Sequence, residues 1–391
     1  MVFILSLILL IGCSKSEEAS SEEQNNSECP LESLTLDGSA FVDRSENLLS
    51  FLEAGYTRIT GRLELRDVND LSFLQCFTFI DDLVISGSTA ANLEDLSNTS
   101  FNRLTIRGFQ NLINFQGIGS VNSLVKLRVG NNPSLVNFEG LSSLRSIGIL
   151  DVFDNASLVD FKGLENVTSN LVVDVLQDFE AREFSIQNNP HLQSLNGLQN
   201  LQGEMSSELY IYDCDNLSDI PVISGLTKLK GFELIFCPKM VNFAALPNVN
   251  DIEFILISDN PLLESISLPS LTRSSTIFIG RSSLLNTIDC TALTEITSEF
   301  NLVSLQLEEL NSLNDLSGFA NLQSTTNMVD ILSNDNPFDL AMENICMLRT
   351  LYNSNGTDQN SENNVIIQSK CYYFDATYVP LLEFDANCNC N

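Results

Sequence analysis

The feature that most constrains this chain is a unit it repeats: a short apolar strand, a polar turn, a leucine, then Gly-Leu. Asn131-Asn132-Pro133-Ser134-Leu135 leads into Gly140-Leu141, Asp154-Asn155-Ala156-Ser157-Leu158 into Gly163-Leu164, and Asn188-Asn189-Pro190-His191-Leu192 into Gly197-Leu198. The turn leucine recurs at Leu71, Leu93, Leu112, Leu135, Leu158, Leu192, Leu217, Leu263, Leu285 and Leu313, with Met240 in one coil. Most steps are about 23 residues, and a fixed period of that size dictates a solenoid. Each turn follows an alternating triplet such as Leu104-Thr105-Ile106 or Leu127-Arg128-Val129. Period 2 turns the outer residues of each triplet inward and the middle one outward. The expected fold is mainly β, a parallel β-helix or leucine-rich solenoid of about 11 to 12 coils with short helical caps. The long step from Leu158 to Leu192 holds an insertion near residues 172–183.

The position three before the turn leucine forms a column: Asn132, Asn155, Asn189, Cys214, Cys237, Asn260, Ser282, and Asn336 further on. A buried Asn there satisfies turn backbone groups of its own coil and a neighbour. Cys214 and Cys237 fall in consecutive coils, within disulfide range, but we read them as buried free thiols that stand in for Asn in the ladder. At the N-side, residues 45–54 read as an amphipathic helix closed by Gly55. Cys29 and Cys76 flank this cap and first coil (29–76), and a disulfide between them suits an exported protein. Beyond the repeats (77–339), residues 340–352 read as a capping helix, then a polar loop and a tail. Cys346, Cys371, Cys388 and Cys390 supply one or two further bridges there, of open connectivity.

Asp and Glu number 51 against 19 Lys and Arg, a net charge of −32. Such a surface repels nucleic acid and anionic lipid. No EF-hand-type loop organises the acids, so they read as a solvated face rather than a calcium site. Residues 2–12 are apolar but too short for a bilayer, which needs about 20 residues. They fit the core of an export signal (1–12). The run ends in Leu10-Ile11-Gly12-Cys13, which resembles a bacterial lipobox, although no Lys or Arg precedes it. The resemblance implies lipidation at Cys13. The following stretch (13–28) is polar and acidic, the composition of a disordered tether. Its start, Ser14-Lys15-Ser16-Glu17-Glu18, resembles the surface-export signal of Bacteroidetes lipoproteins, with Ser16 as an interruption. The implied address is the outer membrane, lipid-anchored and surface-exposed.

Gly55-Tyr56-Thr57-Arg58-Ile59-Thr60-Gly61-Arg62-Leu63-Glu64-Leu65, set after a helix, resembles the opening of a receptor L domain. That family is a leucine-rich right-handed β-helix, and the Asn-Asn-Pro-x-Leu and Gly-Leu-x-x-Leu coils are similar to its repeats. The likeness spans about residues 34–352. It implies a surface protein that binds a partner through its sheet face and leaves the ligand open.

Catalytic chemistry finds little support. The one histidine, His191, occupies a turn position held elsewhere by Ser134 or Ser157, so Ser-His-Asp and Cys-His mechanisms lack a base. A His-rich zinc site is excluded, and no phosphate-binding glycine motif occurs. Ser123-Leu124-Val125-Lys126 matches S-x-x-K but enters a strand. Cys388-Asn389-Cys390 suits an exported disulfide better than a metal. Paired carboxylates about 5 to 10 Å apart would suit a carbohydrate-active β-helix, yet outward acids are sparse: Asp151 is followed by Ser185, and Glu233 by Leu256. We therefore expect no enzyme, cofactor or metal site.

The outward columns are more informative. Tyr210, Tyr212, Ile235, Leu256 and Phe278 fall on adjacent coils, and apolar patches of this kind mark interaction sites. The alternative is that the 172–183 insertion or a cap covers them. Glycan stacking is weakened by the absence of Trp, which leaves the two tyrosines as platforms. The expected function is non-catalytic recognition or adhesion toward an extracellular protein or glycan, with no nucleic-acid partner. A structural envelope component without a discrete site is the first rival, and a carbohydrate-active enzyme the second.

Overall fold

A computed structural model describes residues 29–30, 32–119, 121–170, 184–297, 303–326, 328–332 and 365–367. Its strands are β1 (Leu34–Leu36), β2 (Ala40–Asp43), β3 (Tyr56–Arg66), β4 (Phe79–Ser86), β5 (Ser100–Arg107), β6 (Ser123–Gly130) and β7 (Ser146–Phe153). They continue with β8 (Ser169–Asn170), β9 (Phe184–Gln187), β10 (Gln202–Tyr212), β11 (Gly225–Ile235), β12 (Asn242–Phe243), β13 (Asp251–Ser258) and β14 (Ser265–Ser267). The last are β15 (Arg273–Gly280), β16 (Thr287–Asp289), β17 (Glu295–Ile296), β18 (Val303–Glu308), β19 (Ser324–Thr325), β20 (Met328–Leu332) and β21 (Val365–Ile367).

The chain is a right-handed parallel β-solenoid of about 12 turns of about 23 residues. Each coil lays its strand beside that of the coil before it, as in Leu104↔Leu127 and Leu127↔Leu150. A second, narrow parallel sheet of β12, β14 and β16 runs along another side. Inward triplet residues and all the turn leucines, with Met240, are at most 2% exposed. The core is thus one continuous stack, which is how a repeat too small to bury its own apolar face becomes stable. Phe115, Phe138 and Phe161 stack within it at 5.4 and 5.2 Å.

The Gly-Leu signature has a steric cause. Gly163 holds φ +108°, and a Cβ there would lie 2.1 Å from the Phe138 carbonyl oxygen of the preceding coil. Only glycine allows both that conformation and that approach.

The Asn column is a hydrogen-bond ladder. The Asn155 Oδ1 accepts the Asn132 N–H at 3.2 Å, and the Asn189 Oδ1 accepts the Asn155 N–H at 3.0 Å. Asn155 Nδ2 donates back to the Val129 carbonyl at 3.1 Å, as Asn260 Nδ2 does to Leu234 at 2.9 Å. Every member from Asn132 to Ser282 is fully buried. Cys214 and Cys237 are free, as expected, and each donates its thiol weakly to a carbonyl at 3.6 Å. A third buried free thiol is Cys290.

The N-terminal cap contains helix α1 (Arg44–Glu53), with Gly55 at φ +69° just past its end. Phe51 stacks on Phe77 at 6.0 Å and anchors the helix. The amphipathic expectation holds only in part, because Leu49 stays 69% exposed. Cys29 and Cys76 are disulfide-bonded with Cα atoms 5.1 Å apart. Two further strands, β1 and β2, precede the helix and pair with β3, so the cap itself shields the first sheet edge. At the far end, β21 pairs with β20. It falls in the stretch read as a polar loop, where Val365-Ile366-Ile367 supplies the β-branched run. Cys13, the tether, residues 172–183, Asn336, the 340–352 helix and Cys346, Cys371, Cys388 and Cys390 lie outside the described residues.

Candidate functional site

The parallel register assembles the outward columns coil by coil. Tyr210 lies opposite Glu233, Glu233 opposite Leu256, and Leu256 opposite Phe278. Beside this row, Tyr212 lies opposite Ile235, and Ile235 opposite Ser258. The five residues singled out by the sequence therefore share one face on four successive strands. All five are half-buried. The Tyr210 and Tyr212 rings stack at 5.9 Å with 11° between planes. Outward does not mean exposed in the middle row: Glu233 is 8% and Ser185 2% exposed, because strands about 4.8 Å apart shade each other's short side chains.

Two further aromatics join this face. Phe254 lies on β13 opposite Gly231, and its ring fills the space above that glycine, where a Cβ would come within 2.1 Å. Phe236 is more unusual. It sits in the turn directly after β11 at φ +53°. Other coils place Asp67, Asn131, Asp154, Asn188, Asp213 and Asp259 in that left-handed conformation, and two place Arg281 and Glu309 there; Asn and Asp tolerate it, and bulkier side chains resist it. Phe236 is nevertheless 43% exposed and meets Tyr212 edge to face at 5.6 Å. The signal was present in the sequence as an aromatic at a position otherwise held mostly by Asp, Asn or Gly.

Beneath the patch, the Phe236 carbonyl accepts the Cys214 N–H at 3.2 Å. Hydrogen bonding with Cys214, followed by burial, pushes the Cys237 thiol well above its usual range. The Cys237 thiol is therefore a protonated ladder member rather than a nucleophile.

The other catalytic candidates separate. His191 is an exposed turn residue, and Ser123 and Lys126 lie on β6 rather than a helix. Asp151 and Ser185 are opposite each other, as are Glu233 and Leu256, so no acid pair forms at those places. Burial, and then the charge of Glu308, push the Asp330 carboxyl up to about 6. Asp330 lies opposite Gln306, diagonal to Glu308. Among the described residues no cluster of three or more His, Cys, Asp or Glu could hold a metal, and no helix is long and apolar enough to cross a membrane.

The fold and this face define the class as a β-solenoid with an aromatic sheet patch. Comparison with protein-family models, curated proteins and solved structures returned no match.

Proposed function

We propose that this is a lipid-anchored, surface-exposed outer-membrane protein whose L-domain-like solenoid recognises an extracellular protein or glycan without catalysis. The observation that carries the binding reading is Phe236, held in a left-handed turn and left 43% exposed against Tyr212. Strain of this kind costs about 1–3 kcal/mol and clusters at functional sites. The turn has a less strained alternative in Asp, which the neighbouring coils use at Asp213 and Asp259. An exposed ring beside two stacked tyrosines is an anchor of the type that dominates binding interfaces. The address rests on the lipobox-like run ending in Cys13 and on the acidic tether.

Protease treatment of intact cells tests the address: loss of the protein supports it, and protection overturns it. Capture of the partner from extracellular material, followed by Tyr210→Ser, Tyr212→Ser and Leu256→Ser, tests the patch. Affinity that survives these changes removes it as the site. Turnover of a polysaccharide by the pure protein would overturn the non-catalytic reading.

A further inference from the structure

The aromatic face is framed by carboxylates. Phe236 follows β11 in the column of turn residues, and its neighbours there are Asp213 after β10 and Asp259 after β13, all three in the left-handed conformation. The Asp213 N–H bonds the Ile235 carbonyl at 3.0 Å, and the Phe236 N–H bonds the Ser258 carbonyl at 3.2 Å. The exposed ring therefore stands in a row between two acids. Glu233 lies in the middle of the face, opposite Tyr210 on one side and Leu256 on the other. Glu253 is exposed, next in sequence to Phe254.

The cations of β10, β11, β13 and β15, with the residue after each strand, are Lys228, Lys230, Arg273 and Arg281. Each is already engaged. Lys228 and Arg273 hold Asp251 at 3.1 and 2.6 Å, Lys230 holds Glu208 at 3.3 Å, and Arg281 holds Asp259 at 3.6 Å. Lys239, three residues past Phe236, donates to the Asn216 Oδ1, next in sequence to a further exposed acid, Asp215. Asp213 and Glu253 are exposed and form no ion pair among the described residues. The surplus on this face is thus negative, and Asp213 places part of it beside the Tyr212 and Phe236 rings.

We infer that the occupant of the aromatic face is a protein segment that presents a lysine or arginine to the corner formed by Tyr212, Phe236 and Asp213. This rests on the binding reading above and specifies its partner. A cation within about 6 Å of a Tyr or Phe ring is attracted to its face. The two rings here meet at 89°, and Asp213 supplies the counter-charge. A basic side chain also has a long apolar stem, which Ile235 and Leu256 can cover while its head reaches the acid. The net charge of −32 steers basic partners to the molecule and acidic glycans away from it. The aromatic corner then fixes where such a partner docks. Strands β10 and β11 are paired on both sides, so the segment is held by its side chains and not as an added strand.

The test is to pan a random peptide display library on the full-length protein and titrate the enriched peptides at 50 and 200 mM NaCl. Enriched sequences should carry Lys or Arg above the library frequency and bind more weakly at the higher salt. Phe236→Asn should weaken them about tenfold or more. Asp213→Asn should weaken them about threefold, with the turn kept, because Asn131 and Asn188 hold the same conformation. Glu53→Gln, exposed on α1 in the N-terminal cap, should change nothing. Three results overturn the inference and leave the aromatic binding reading standing: no enriched peptide, enriched sequences without basic residues, or affinity that falls with Phe236→Asn but not with Asp213→Asn. Equal losses in Asp213→Asn and Glu53→Gln would overturn it too, because the attraction would then be general. Enriched peptides indifferent to Phe236→Asn would overturn the aromatic reading itself, and this inference with it.

Discussion

Tyr212 and Phe236 meet edge to face at 5.6 Å, yet the first ends an extended strand and the second occupies a left-handed turn. The contact is therefore made at the expense of backbone comfort, and the two effects separate by substitution.

Phe236→Asn should raise stability while weakening partner binding. Relief of the left-handed strain is worth about 1 kcal/mol, and loss of an aromatic anchor about 2 kcal/mol or more. Thermal melting and titration of the same variant read the two signs. A parallel fall in both would mean that Phe236 is a packing residue and not an anchor.

Asn155→Ala should be among the most damaging ladder changes. It leaves the Asn132 N–H and the Val129 carbonyl, now bonded at 3.2 and 3.1 Å, without partners in a dry interior. Two orphaned groups cost about 2–5 kcal/mol. Asn137→Ala, which removes one turn bond at 3.1 Å, should cost about 1 kcal/mol. Chemical denaturation of both variants checks the ordering.

Stability should respond to pH with opposite signs at two aspartates. Asp330 is raised from 3.8 to about 6, so its favourable contribution is complete below 3.8 and is lost as pH rises through about 6. Asp330→Asn should raise the melting temperature at pH 8 and leave it nearly unchanged at pH 4. At Asp251, burial acts upward, but hydrogen bonds from Arg273 at 2.6 Å and ion pairing with Lys228 at 3.1 Å win and lower the pKa. Its contribution is present above 3.8 and lost as pH falls below it, so Asp251→Asn should lower the melting temperature at pH 8.

Cys214, Cys237 and Cys290 should resist alkylation in the native protein at pH 8. All three are at most 2% exposed, and burial, then the charge of Asp289, push the Cys290 thiol up to about 12. Peptide mapping by mass spectrometry after iodoacetamide should find them unmodified until denaturant is added. Labelling under native conditions would indicate coil opening near the aromatic face.

The solenoid was legible because its rules are local and repeated: Leu104 and Ile106 alternate inward, Asn132 needs burial, and Gly163 must clear the Phe138 carbonyl. Register then brought Tyr210, Leu256 and Phe278 together without further information. Phe236 was missed because the triplet alternation stops at the strand end, and turn conformation follows another rule. The cap strands β1 and β2 escaped for a related reason, since Leu34–Leu36 and Ala40–Asp43 are shorter than any periodic signal.

The side-chain ladder also has a direction. Asn155 both accepts from Asn132 and donates to Val129, so each coil is completed by its successor and not by its predecessor. Removing coils from the C-side exposes a fresh pair of unmet backbone groups at every step. Within the ladder, removing them from the N-side strips partners only from a side chain, while backbone bonds to the preceding coil, such as Val136 N–H to the Ile113 carbonyl at 2.8 Å, are lost as well. As far as the ladder decides, the array should fray first from its C-side.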